Sequence, residues 1–221
     1  MRAQGRARAG RGGPLALALA LLLLGAACTA PAEHQFRDAE RWARVFDDPA
    51  RDAWQKPDEV LRALALPPDA LVADIGAGTG YFAVRLARAL PRGHVWGADV
   101  APDMVRYLAE RARREGLTNL TALAAAPDDP RLPRPVDLAL VVNTYHHIGA
   151  RPAYFRRLRP WLRAGGRVAI IDFQPDAPVG PPRHARVPAA VVKAEMGEAG
   201  YGLVAEHAFL PYQYFLVFAP Q

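Results

Sequence analysis

The stretch Leu71-Val72-Ala73-Asp74-Ile75-Gly76-Ala77-Gly78-Thr79-Gly80 constrains this chain more than any other part of it. A short apolar run ends in three alternating glycines, and Tyr81, Phe82, Val84, Leu86 and Leu90 then follow at helical spacing until Pro91-Arg92-Gly93. The pattern predicts strand, glycine turn and helix. Glycines let the backbone turn sharply and approach a ligand, and the start of a helix offers free amides, so the unit suits a nucleotide-like cofactor. A dinucleotide fingerprint spaces its glycines GxGxxG, and Tyr81 stands where the third would fall, which makes a nicotinamide-linked oxidoreductase the weaker reading.

The alternation continues. His94 to Ala98 predicts a strand ending at Asp99, and Pro102 opens a helix with Met104, Val105, Leu108, Ala109 and Ala112 on one face up to Gly116. Leu120 to Ala124 predicts a third strand and Val136 to Val142 a fourth, buried on both faces. Arg151 to Arg163 predicts a helix and Arg167 to Phe173 a fifth strand. Strands alternating with helices imply a parallel sheet covered on both sides. The tail differs: Pro188 to Ala199 is helical, and Leu203 to Phe209 and Gln213 to Ala219 are close enough to pair as an antiparallel hairpin. Ahead of the regular region, Phe36 to Phe46 is amphipathic and Pro57 starts another helix.

At 221 residues the chain holds one well-packed domain. Its 28 basic and 22 acidic residues suggest nucleic acid until the charges are located. Arg2, Arg6, Arg8 and Arg11 precede any acid, and without them the net charge falls from +6 to about +2. The single cysteine, Cys28, excludes an internal disulfide and a thiolate metal cluster, and no metal site is expected.

Those arginines lead into a short apolar run, Leu21-Leu22-Leu23-Leu24, and then Gly25-Ala26-Ala27-Cys28, which is signal-peptide order. The run falls short of the ~20 apolar residues of a membrane span. The expected division is a signal over 1–27, a tether over 28–35 and a domain over 36–221. Leu24 to Cys28 resembles a lipobox with Gly25 in place of its usual leucyl or branched residue. Two readings of Cys28 stand: a lipidated mature N-terminus, or an incidental small residue with cleavage at an Ala-x-Ala-like site. An exported, periplasmic or membrane-anchored protein is expected, against the alternative of a cytoplasmic one.

Asp74 precedes the glycine loop, and Asp99 follows Gly80 by 19 residues at the end of the next strand, where a carboxylate can accept both hydroxyls of a ribose. Two acids around a glycine loop suit a cationic, nonphosphorylated cofactor. Here the chain resembles the class I S-adenosylmethionine-dependent methyltransferases: Val72 to Gly80 matches their first motif and Asp99 their ribose-binding acid, and the likeness runs from about Leu61 to the C-terminus. The resemblance implies a doubly wound, Rossmann-like seven-stranded sheet with a C-terminal antiparallel hairpin. It also implies S-adenosylmethionine bound around Asp74, Gly76, Ala77, Gly78, Gly80, Asp99, Ala126 and Asn143. The family often ends its third strand with an acid that holds the adenine amine; Ala126 stands there, which leaves backbone groups around Ala125 and Ala126, or Asp128, to serve.

Asn143 to His147 closes the fourth strand, where open α/β sheets bind ligands. Methyl transfer from a sulfonium asks the protein for positioning and removal of a proton. His146 and His147 are candidate bases, with Tyr145 as an orienting phenol; the alternative is that one histidine packs under the sheet and the other caps a helix. His184 lies in a proline-rich segment that could reach the pocket mouth. Trp54, Gln55 and Lys56 lie where such enzymes often close over the cofactor. Arg156, Arg157, Arg159 and Arg163 read as a solvated helix face. The expected function is methyl transfer to a small-molecule acceptor and not to nucleic acid, with a noncatalytic exported protein that binds a nucleoside-like ligand as the alternative. The oligomeric state is open.

Overall fold

The structure is a computed structural model that describes residues 38–221. The expected signal, the tether with Cys28, and Phe36 lie outside the described residues. Seven strands form one sheet in the order β3-β2-β1-β4-β5-β7-β6. β1 (Leu71–Ile75), β2 (His94–Asp99), β3 (Leu120–Ala124), β4 (Val136–Val142) and β5 (Leu162–Phe173) run parallel. β7 (Gln213–Pro220) is antiparallel to both β5 and β6 (Tyr201–His207), as the hairpin reading requires.

Period-two burial decides which side chains meet which helices. Val72, Leu138, Leu140, Ala169, Ile171, Phe215 and Val217 face one side of the sheet, packing with α3 (Pro57–Leu64), α4 (Tyr81–Ala89) and α5 (Pro102–Arg114). Ala73, Ile75, Ala139, Val141, Val168, Ile170, Leu216 and Phe218 face the other, under α6 (Arg151–Leu158) and α7 (Ala189–Glu198). Strand order reverses between β1 and β4, and the crevice at their carboxyl ends is where such sheets bind ligands.

One boundary departs from the sequence expectation. The helix over Arg151 to Arg163 stops at Leu158, passes through a 3-10 turn at Arg159–Trp161, and Leu162 already belongs to β5. Pro160 is the cause, because it has no N–H to give the helix and its ring crowds the preceding turn. The early start of β5 is absorbed by an irregularity opposite Val136 and Leu138, at Gly165-Gly166. A Cβ on Gly166 would stand 3.0 Å from the Val136 carbonyl oxygen. Arg163 therefore leaves the helix and pairs with Asp137, while Arg156 pairs with Glu198 and Arg157 with Asp128.

Before α3 the chain forms α1 (Ala39–Phe46), a 3-10 turn at Pro49–Arg51 and α2 (Asp52–Gln55). Asp48 caps the turn, its carboxylate accepting from Ala50 N–H, with Pro49 at the first position. Trp42 and Phe46 pack on Ala101, Met104 and Tyr107, and Arg111 ties the segment down by donating to Asp47 and to the Thr79 carbonyl. This amino-terminal segment thereby lies beside the glycine loop.

Candidate active site

The glycine loop spends its amides internally. Gly76 and Ala77 N–H both donate to the Ala98 carbonyl (2.8 and 3.1 Å), Gly78 N–H to Asp99 Oδ2 (2.8 Å) and Gly80 N–H to the Ala77 carbonyl (2.9 Å). The amides of Gly76, Ala77, Gly78 and Gly80 are therefore taken by the Ala98 and Ala77 carbonyls and by Asp99. Gly76, Gly78 and Gly80 all have positive φ (74, 55 and 95°), yet they answer to different neighbours. A Cβ on Gly76 would lie 2.2 Å from Thr144 Oγ1, and one on Gly80 2.4 Å from Leu108. These two glycines permit close packing of the β1 and β4 loops and of α5. At Gly78 a Cβ would make only ordinary contact, with the Phe46 ring at 3.5 Å, so of the three glycines this position alone has room for a side chain.

Two acids border that space. Asp99 is held by the amides of Gly78 and Ala101 (2.8 and 2.9 Å), each on a different oxygen, with the Val100 amide a third donor, which leaves the carboxylate one further acceptor direction. Burial pushes its carboxyl above the usual range against those hydrogen bonds. Asp74, 3% exposed at the end of β1, is pushed up to about 7, chiefly by burial and further by Asp99, while the Ala83 N–H and Arg51 hold it down. The Thr79 hydroxyl is buried here without a hydrogen-bond partner.

Asn143, with φ 54°, follows β4 and belongs to a chain of amides. Gln213 Nε2 donates to Asn143 Oδ1 (2.5 Å) and Gln55 Nε2 to Gln213 Oε1 (2.5 Å), joining α2, β4 and β7. Gln55 and Gln213 are both fully covered. Trp54, next to Gln55, packs on Phe173 and Tyr212.

Ala126 does not offer the backbone donor expected of it. Its N–H donates to Asp129 O and its carbonyl accepts from Asp129 N–H, while Ala125 N–H donates to Asp99 O. Asp128 turns outward to Arg157. The tight turn from Ala126 to Asp129 consumes these groups, so Ala126 presents its methyl group and one remaining carbonyl lone pair.

The residues after β4 separate. Tyr145 is wholly buried beneath the sheet against Phe155, and its hydroxyl donates to Glu195 Oε2 (2.6 Å), which also takes Arg151 Nε (2.7 Å). The role of Tyr145 as a phenol orienting a base is corrected on this point, since α6 and α7 claim the hydroxyl. His146 Nδ1 lies 2.8 Å from Asp172 Oδ2, and both side chains are nearly inaccessible. The same carboxylate accepts from Phe173 N–H (2.8 Å). His147 is exposed, its ring 4.1 Å from that of His146. His184 is exposed in the loop after β5, which Arg186 organises by donating to the carbonyls of Pro181 and Ala177.

Asp172, Gln213, Arg51 and Glu195 were not singled out in the sequence. Asp172 and Gln213 had a readable signal, a polar residue inside an apolar strand run, which is stable only when partnered. Arg51 and Glu195 carried none. Among the described residues no group of three His, Cys, Asp or Glu could hold a metal ion. A cleft of about 410 Å³ beside Arg159 to Gly166 lies at the amino end of β5 and the carboxyl end of β7, where none of these groups converge.

The room at Gly78, the spare acceptor capacity of Asp99 and the two acids around the loop fit a cationic nucleoside. Comparison with known proteins agrees. Residues 73–168 match the family model described as a methyltransferase domain. The chain is 30% identical over 107 residues to the ubiquinone/menaquinone biosynthesis C-methyltransferase of Cupriavidus taiwanensis, covering 48% of this chain and 44% of that protein. It is 28% identical over 135 residues to phosphoethanolamine N-methyltransferase 1 of Triticum aestivum, covering 60% and 27%. The chain thus spans less than half the length of either relative. In fold it is similar to an S-adenosylmethionine-dependent methyltransferase of Aquifex aeolicus (TM-score 0.75, 24% identity, covering 82% of this chain and 97% of that one). It is also similar to magnesium protoporphyrin IX methyltransferase of Synechocystis with bound S-adenosylmethionine (TM-score 0.63, 19% identity, covering 85% and 93%). Residues 73–168 thus match a methyltransferase domain, and the sheet around them has the fold of these S-adenosylmethionine-dependent methyltransferases.

Proposed function

We propose that this chain transfers a methyl group from S-adenosylmethionine to a small-molecule acceptor, with His146 taking the acceptor's proton. The observation that carries the reading is the pair of sites at adjoining strand ends: the Gly78–Asp99 clasp after β1 and β2, and the His146–Asp172 pair after β4 and β5. When bound, the cofactor supplies an electrophilic methyl on a sulfonium. Asp99 accepts from a ribose hydroxyl, Asp74 opposes the positive charge across the loop, and Gly76, Ala77, Gly80, Asn143 and Ala126 shape the walls. His146 Nδ1–H donates to Asp172, which leaves Nε2 as the basic nitrogen. An electron pair of the acceptor atom X would form the X–C bond as the methyl–sulfur bond breaks with its electrons passing to sulfur, and the X–H proton would pass to His146 Nε2. Product-side S-adenosylhomocysteine formation across an acceptor library tests the reading; binding of the nucleoside without turnover of any acceptor would leave only a binder.

The [4+2]-cyclase SpnF has a similar fold (TM-score 0.61, 22% identity, covering 70% of this chain), so the fold alone does not dictate methyl transfer.

Asp74 gives the cofactor site a pH signature. A carboxyl raised to about 7 when folded, above an ordinary 3.8, means that the folded chain binds the proton more tightly than the unfolded one. Stability is then greatest below about pH 4 with respect to this group and declines as pH rises through 7. Asp74→Asn is expected to raise unfolding free energy at pH 8 by on the order of 2 kcal/mol, with the gain fading toward pH 4. The same variant should weaken S-adenosylmethionine, and wild-type affinity should tighten as pH rises through 7. Denaturant unfolding and calorimetry at pH 5 and 8 check both; a stability gain that does not change with pH would remove Asp74 as its source.

Export is proposed as well, from the order of arginines, apolar run and Ala-Ala-Cys over residues 1–28. A fusion of residues 1–35 to a reporter active only after export is expected to be active, and an inactive cytosolic reporter would return the protein to the cytoplasm. Incorporation of a palmitate analogue that disappears in Cys28→Ala would mark a lipoprotein, and no incorporation a released protein.

A further inference from the structure

Arg51 ends the 3-10 turn beside the glycine loop, and its guanidinium lacks the anion that its surroundings call for. Nε donates to Gln55 Oε1 (3.0 Å) and one Nη1 hydrogen to the Phe46 carbonyl (2.8 Å). A guanidinium has five N–H donors, so three remain. The group lies 4.0 Å over the Tyr81 ring, at the start of α4, and 5.9 Å from the Trp54 ring. Nearby acids are committed elsewhere: Asp52 to Arg85 and the Tyr81 hydroxyl, Asp47 to Arg111. No carboxylate among the described residues forms an ion pair with Arg51. Burial pulls its pKa down to about 10 despite the favourable fields of Tyr81, Asp47 and Asp74. Neighbours thus offset only part of the cost of covering this charge.

The position of Arg51 narrows what the missing anion is. Phe46, whose carbonyl Arg51 holds, carries the ring that stands over the open side of Gly78, and Tyr81 follows directly on Gly80. A cation unpaired among the described residues and the acid Asp74 therefore lie on one rim of the glycine loop. At neutral pH S-adenosylmethionine carries a sulfonium, an ammonium and one anion, its α-carboxylate, while adenine and ribose are uncharged. A site with one cation and one acid is complementary to an α-amino-acid tail.

Resting on the cofactor reading above, we propose that Arg51 binds the α-carboxylate of S-adenosylmethionine through its free N–H groups, making it a specificity-determining residue of the amino-terminal segment. Planar donors meet a carboxylate in a two-pronged geometry that an ammonium cannot reproduce. Binding also gives Arg51 its counter-ion, so the segment from Asp47 to Gln55 should be firmer in the complex than in the free chain.

The test compares S-adenosylmethionine with its decarboxylated analogue, which keeps the nucleoside, sulfonium and ammonium and lacks only the anion. Isothermal calorimetry on the full chain should show the wild type preferring the carboxylated form by about 10- to 100-fold. Arg51→Gln should lose that preference by weakening S-adenosylmethionine alone, and Arg51→Lys should keep part of it. The wild-type comparison needs no variant, so it decides even if a substitution fails to fold. Equal wild-type affinity for the two ligands would overturn the assignment while leaving the cofactor reading intact, as would an Arg51→Gln variant that weakens both ligands alike. Failure of the wild type to bind either would overturn the cofactor reading and this proposal together.

Discussion

Gly78→Val should yield a folded chain with no measurable affinity for S-adenosylmethionine. A Cβ at this position meets only the Phe46 ring, at 3.5 Å, so packing of the free chain tolerates it. The cost to the fold comes from the backbone: φ is 55°, a region that a branched side chain enters at roughly 1–3 kcal/mol. The cost to binding is larger, because the isopropyl group would take the room at this glycine and press on the amide that holds Asp99 (2.8 Å). Gly76→Val should behave in the opposite sense. Its Cβ would fall 2.2 Å from Thr144 Oγ1 and force the β1 and β4 loops apart, so the variant should lose stability first and binding only as a consequence. Thermal unfolding beside calorimetry separates the two. A Gly78→Val chain that binds like the wild type would show that the cofactor lies elsewhere.

The second large effect is expected at the histidine pair, in turnover. His146→Ala should lower kcat by about 10²- to 10⁴-fold with any acceptor the wild type methylates, while the cofactor Kd stays within about twofold. Asp172→Asn should reproduce much of that loss although it touches no substrate, because the amide no longer holds Nδ1 as the protonated nitrogen. If the two act as one unit, the double variant should be no worse than the poorer single one. His147→Ala, at an exposed position without that carboxylate, should cost far less. Equal turnover in His146→Ala and His147→Ala would return both histidines to packing. Unchanged turnover in Asp172→Asn would separate the aspartate from the chemistry.

Most of the fold was legible in the sequence because its signals are local. Leu71–Ile75, Leu120–Ala124 and Val136–Val142 are mostly apolar runs, each broken by one polar residue (Asp74, Thr121 and Asp137), and the strands begin and end where those runs do. Helix starts at Pro57 and Pro102 follow from the fixed φ of proline at a first turn. The exception, α6 running on to Arg163, came from weighing the apolar period of Phe155, Leu158 and Leu162 above the missing N–H of Pro160. The 3-10 turn and α2 before Lys56 were too short to leave a period, although Asp48-Pro49 carried a capping signal.

The site divides along the same line. Asp74, the glycine loop and Asp99 are set by sequence alone, since the residues flanking one strand and its turn stay neighbours in any βαβ unit. Only the tertiary structure decided what each group is free to do. The loop amides are consumed by Ala98 and Asp99, Ala126 by Asp129, and the Tyr145 hydroxyl by Glu195. His146 received Asp172, which is 26 residues away in sequence and arrives beside it only when β5 pairs with β4. Among the described residues Arg51 was left without an anion by the same logic, its acidic neighbours being drawn to Arg85 and Arg111 from helices α4 and α5. Hydrogen bonds and ion pairs are made between whichever groups the fold brings within about 3 Å, and that list is a property of the packed chain rather than of any segment of it.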